Sequence, residues 1–330
     1  MRNQRMDLFK CIAIYSVVLL HIKTGVLDGQ TAALTRFAVP YFFLVAGYFS
    51  YGQGEKKLLE RARRSLLLWA ASAGLVAALC AGTVWRAGWS FLIYLQQQFT
   101  PRAWLELAVF QILPFPYGYH LWFIGAMPLL YLIWWAVTRL WPEIPYRALA
   151  GAAVLLLGMN LFLGEGLALL GRGSVPVRYL RNAWLDGLPF FLLGAWMHSD
   201  QEWMVSRVTH TMIWGGLLLS GGAVLAEQSL AGDLDLFSGS VLFALLLMAA
   251  ALKWPGVRQG PAGRLMCRCG SSLTFLIYMI HVPLYSFFCE WSHVPLFGWI
   301  VGHRLITAPV IAVLSTGIAV LVRDGKERLK

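Results

Sequence analysis

Apolar residues along this chain come in long runs rather than in alternation. Leu66 to Gly82, Leu121 to Val137, Ala148 to Leu163 and Gly215 to Ala226 are almost wholly apolar. A strand with one wet face would alternate every second residue, whereas about 20 consecutive apolar residues match a helix crossing a bilayer. Lipid offers the backbone no hydrogen-bond partner, so a spanning segment must satisfy its own amides, as a helix does. The pattern predicts an all-α fold: a polytopic integral membrane bundle of about ten transmembrane helices. They are expected near 7–24, 33–51, 65–84, 119–138, 147–165, 183–198, 210–228, 238–253, 271–290 and 299–322.

The segment 85–118 breaks this pattern. Phe91 to Leu95 and Leu105 to Leu113 are apolar but too short to span, and Pro101, Pro114 and Pro116 interrupt helices there. A re-entrant or interfacial segment is expected. With no internal repeat and no long linker, residues 1–330 read as a single membrane-embedded domain.

Composition agrees with the pattern. The chain is 58% hydrophobic and only 13% charged, where soluble proteins average about 25% charged. The formal net charge of +11 would suggest a nucleic-acid partner in a soluble protein. Here its distribution explains it as a topology signal, and no nucleic acid is expected. Arg2, Arg5, Lys56, Lys57, Arg61, Arg63, Arg64, Arg139, Arg147, Arg207, Lys253, Arg258, Arg264, Arg268, Arg323, Lys326, Arg328 and Lys330 fall on one side, 18 of the 27 basic residues. Arg86, Arg102, Arg172, Arg178 and Arg181 fall on the other, with the acidic Asp233 and Asp235. The positive-inside rule then puts both termini in the cytoplasm. Leu8 to Ile22 is not read as a cleavable signal, because it contains Lys10 and His21.

Ionisable residues inside apolar segments are the candidates for chemistry. Each costs at least about 2.5 kcal/mol to place in a membrane helix, so each is expected to face a protein interior or a wet cavity. Lys10 and His21 share the first span. Eleven residues at about 100° each bring them to nearly one face, about 16 Å apart along the axis. The plain alternative is that Lys10 snorkels to the interface and His21 caps the outer end. Arg36 precedes Val39 to Tyr48, where Pro40 and Gly47 suit helix packing. Arg61, Arg63 and Arg64 suit either a cytoplasmic anchor or a phosphate, whose oxygens match guanidinium forks. His120 and Trp122 open the fourth span and His281 lies inside the ninth; Trp122 alone would be an aromatic-belt residue. Cys11, Cys80, Cys267, Cys269 and Cys289 are expected as free thiols. Cys267-x-Cys269 lacks the further ligands of a zinc site, so no metal is expected.

These residues resemble the membrane acyltransferase-3 family, bacterial proteins that O-acylate surface glycans and related acceptors. Asp7-Leu8-Phe9-Lys10 followed by His21 is similar to the family's basic-residue and histidine signature. Val39 to Tyr48 resembles its Pro-x-Phe-Phe-x-x-Ser-Gly-Tyr segment, and Arg61 to Arg64 its basic loop. His120 to Phe123, Phe190 to Gly194 and Ile277 to Pro283 resemble later segments in the same order. Two positions depart from the pattern: Ala46 stands for the usual Ser, and Lys10 for the commoner Arg. The membrane domains of vancomycin-resistance serine racemases are more distant relatives.

The resemblance implies an integral protein of the bacterial cytoplasmic (inner) membrane that moves an acyl group, acetyl from acetyl-CoA, to a hydroxyl of a cell-surface glycan or related acceptor. It implies His21 as general base and His281 as a second catalytic group. Lys10, Arg61, Arg63 and Arg64 would hold the phosphates of coenzyme A, and Arg36, His120 and Trp122 would contact the acceptor. The bilayer, acyl-CoA and the acceptor are the expected partners. The rival expectation is a transporter for a small polar solute such as an amino acid, in which the same ionisable groups bind cargo.

Overall fold

The structure, a computed structural model, describes residues 2–25, 27–257 and 260–328, without the side chains from Lys326 onward. Arg258 and Lys330, counted above as cytoplasmic, lie outside the described residues, as do the side chains of Lys326 and Arg328. The main helices are α1 (Gln4–His21), α2 (Asp28–Thr35), α3 (Ala38–Tyr48), α4 (Glu55–Arg86), α5 (Phe91–Gln98), α6 (Pro101–Phe110), α7 (Trp122–Leu140) and α8 (Tyr146–Leu161). They continue as α9 (Leu188–Ser199), α10 (Gln201–Arg207), α11 (His210–Ala231), α12 (Ser238–Lys253), α13 (Pro261–Ser272), α14 (Thr274–Glu290), α15 (Pro295–Gly302) and α16 (Arg304–Arg328). No strand occurs among the described residues.

Among the described residues, four helical segments are long and apolar enough to cross a membrane: Glu55–Arg86, Tyr119–Leu140, Tyr146–Leu169 and Arg304–Gly325. Two bent pairs raise this to six if each counts as one span, α10 with α11 at 88° and α13 with α14 at 79°. The other expected segments are helical but shorter or more polar. α1 carries Arg5, Asp7 and Lys10, and α3 has only 11 residues because the chain turns at Arg36 and Phe37. The segment at 183–198 begins as a π-helical turn, Ala183–Gly187, before α9. Large apolar side chains stand outward on the long helices, with Leu155 76% and Leu218 79% exposed. In water such surfaces would drive association; on spanning helices they are lipid contacts.

The segment 85–118 forms α5 and α6, of 8 and 10 residues, each too short to span. Pro101 occupies the first turn of α6 under a Thr100 cap, where its missing N–H costs nothing. Gln111 ends α6 in the left-handed region at φ 57°.

The chain divides into two compact units, one formed by 1–42 with 201–330 and the other by 43–200. In the second, α4 packs along α7 and α8 along α9. Helix α3 approaches α9 most closely at two glycines. A Cβ at Gly47 would be driven into the Phe191 carbonyl, and one at Gly194 into the Leu44 carbonyl. The buried Gln111 side chain accepts a bond from the Ala183 amide at 2.8 Å, tying the end of α6 to the π-helical turn.

In the first unit, α1 packs on α13 and α14, α11 on α12, and α14 on α16. Asn3 caps α1 by accepting from the Met6 amide at 2.9 Å. The α1–α13 crossing also depends on a glycine, since a Cβ at Gly270 would strike the Asp7 carbonyl. Tyr15 and Thr316 join α1 to α16 at 2.8 Å.

Candidate active site

Helix α1 is continuous from Lys10 to His21, so the axial separation of about 16 Å expected from helical rise stands. At its far end His21 meets His281 of α14, with ring centroids 5.4 Å apart and planes at 33°. His281 is fully buried, and its Nδ1 lies 3.1 Å from the Ile277 carbonyl one turn earlier. A carbonyl only accepts, so Nδ1 carries the proton in that bond. In the neutral ring Nε2 then carries no proton and can only accept.

At the near end, Asp7 is 5% exposed and serves two cations. Its Oδ1 lies 2.6 Å from Lys10 Nζ, and its Oδ2 accepts from Arg2 Nε, also at 2.6 Å. The Lys10 side chain is itself mostly buried, so Asp7 supplies the charge balance that makes a lysine tolerable there. Tyr41 stands beside α1, its ring edge-on to Phe9 at 6.3 Å. It is fully buried, and its hydroxyl has no hydrogen-bond partner among the described residues. Arg36 forms an ion pair with Asp235 at 2.7 Å, linking the start of α3 to the acidic loop after α11.

The remaining expected residues belong to the second unit. Arg61 donates to the Phe49 carbonyl at 2.8 Å, bracing the turn between α3 and α4, while Arg63 and Arg64 are exposed on α4. His120 is buried in the helical turn Tyr119–Leu121, and Trp122 begins α7 with its ring 5.8 Å from Phe43. The structure therefore joins His21 to His281 and sets Lys10 on Asp7. Asp7 is the residue of this site that carries no role in the expectations above. Its three-residue spacing from Lys10 was the available signal, because residues three apart on a helix are neighbours.

A polytopic helical membrane protein that pairs a buried histidine with a half-buried one and sets a half-buried lysine on a buried aspartate is the class defined by this fold and site. The chain matches the acyltransferase-3 family, described as an acyltransferase domain, over residues 3–324, and it belongs to that family. No curated protein and no solved structure matches it.

Proposed function

We propose that this acyltransferase moves an acyl group, acetyl in the first instance, from acyl-CoA to a hydroxyl of a cell-surface glycan or related acceptor, with His21 as general base. The observation that carries the reading is the His21–His281 ring pair in a chain of this family. An alcohol is a poor nucleophile until its proton is removed, and a positioned imidazole contributes typically 10²–10⁴-fold. His21 takes the hydroxyl proton as the alcohol oxygen attacks the thioester carbonyl. The tetrahedral intermediate then expels the coenzyme A thiolate, which recovers the proton from the imidazolium. Ester and free thiol are the products.

His281 suits a positioning role better than that of an oxyanion donor. Its Nδ1 proton is committed to Ile277, so its neutral ring offers Nε2 as an acceptor that can orient a His21 N–H. Lys10 presents a cation to the donor's phosphates, Arg61, Arg63 and Arg64 remain further candidates for that contact, and Arg36, His120 and Trp122 for the acceptor. Both termini are assigned to the cytoplasmic face of a bacterial inner membrane.

His21→Ala is the direct test. Membrane insertion should be normal while acetyl-CoA-dependent labelling of the acceptor disappears, and intact labelling would overturn the assignment. Mass spectrometry of surface polysaccharide from cells with and without the protein should show a difference of one acyl group. The 79° bend between α13 and α14 favours a second reading, since interrupted helices build solute sites in transporters. Solute uptake by proteoliposomes lacking any acyl donor would establish that reading instead.

A further inference from the structure

Three separate stretches of the first unit converge on a cavity of about 290 Å³ beyond the Lys10 end of α1. Arg2 and Gln4 line it from the start of α1, Arg264, Cys267, Arg268 and Ser271 from α13, and Arg323 from the end of α16. Among the described residues its wall holds four arginines and no carboxylate. Topology alone accounts for arginines on one side of a membrane, but it does not require them to converge. Here neighbours hold them in place, Arg2 by Asp7, Arg268 by Asp324 at 3.4 Å and Arg323 by the Ser272 hydroxyl. Arg264 and Arg268, four apart on α13, share a helix face.

We infer that this pocket binds a phosphate-ester group. Guanidinium forks match phosphate oxygens in pairs, and several donors held in place lose little freedom when the anion arrives. The volume sits at the lower edge of the roughly 300–1,000 Å³ range of small-molecule pockets, so it fits the charged head of a larger molecule. Two sources carry that chemistry at a membrane surface: the phosphates of a coenzyme A donor and the headgroup of an anionic phospholipid. Asp7 joins the pocket to the proposed donor site, since the same carboxylate that holds Arg2 holds Lys10. The inference rests on the acyltransferase reading only in choosing coenzyme A as a probe.

The test compares wild type with Arg264→Ala/Arg268→Ala, whose two side chains are exposed and whose loss leaves Asp7 and Lys10 paired. Coenzyme A binding is measured by calorimetry in neutral-lipid nanodiscs. Phosphatidylglycerol retention is measured by native mass spectrometry after transfer from mixed-lipid nanodiscs. If the donor is the source, the variant should bind coenzyme A at least about tenfold more weakly, and Arg264→Lys/Arg268→Lys should recover part of the loss. Adenosine 3′,5′-bisphosphate should also slow alkylation of Cys267 in a Cys289→Ser background. If a lipid is the source, phosphatidylglycerol retention falls instead while coenzyme A binding holds. Either result establishes the phosphate site and names its occupant. Unchanged coenzyme A affinity together with unchanged lipid retention overturns it. His21→Ala separates the two readings: it should bind coenzyme A like wild type while transferring nothing. A wild type that transfers nothing, but loses coenzyme A or lipid in the arginine variant, removes the base assignment and keeps the pocket.

Discussion

Tyr41 keeps a fully buried hydroxyl without a hydrogen-bond partner among the described residues, at a site next to α1. Such a group costs about 1–3 kcal/mol unless something binds it. Tyr41→Phe should therefore raise thermal stability, and if the hydroxyl contacts substrate, transfer should fall in the same protein. Asp7→Ala makes the opposite case. It leaves Lys10 buried without its counter-charge and should cost on the order of 3 kcal/mol, read as a lower unfolding temperature. A base must be unprotonated to accept the hydroxyl proton, so transfer should decline on the acid side of its pH profile. His281→Asn should shift that acid limb if His281 orients the base, whereas loss of packing alone would lower the plateau and leave the limb in place. Lys10 and His21 were legible because both sit on one helix, where spacing fixes angle and rise. That His281 belongs with His21 came only from the family resemblance, because 260 residues separate the two rings and tertiary packing alone brings them together.

At the scale of elements, glycine decides the closest helix crossings. Gly47, Gly194 and Gly270 each face a carbonyl of another helix, a backbone atom that cannot rotate away as a side-chain tip can. Alanine at any of them should cost at least about 1–3 kcal/mol, measured as lost yield of folded protein and a lower unfolding temperature. Gly47→Ala and Gly194→Ala together should lose less than the sum, because both open the same α3–α9 contact. The glycines of the motif-like stretches Val39 to Tyr48 and Phe190 to Gly194 thus have a packing explanation. The long apolar helices were readable from their runs. α3 and the π-helical start of α9 were not, because a break at Arg36 and Phe37 and an Asn182 cap on Trp184 and Leu185 are set by local geometry that hydropathy does not encode.

For the whole molecule, hydropathy and basic-residue asymmetry gave the architecture of an all-helical, multi-pass membrane protein, while span number depends on how the bent pairs are counted. Reporter fusions after Arg139 and Arg207 should report the cytoplasm, and fusions after Arg172 and Asp233 the opposite side; a reversed pattern would invert the proposed orientation. The arginines of the α1–α13–α16 pocket were legible only as charge, since a one-dimensional tally cannot separate scattered cations from convergent ones.

The Asp7 bridge has a practical consequence for handling the protein. Arg2 is anchored to Asp7 and lines the cavity, so an affinity tag ahead of it adds its bulk beside those guanidiniums. A histidine-rich tag would bring its own titrating rings there. The exposed loop at Gly171-Arg172-Gly173, whose residues do not line that cavity, is the better place for a purification handle.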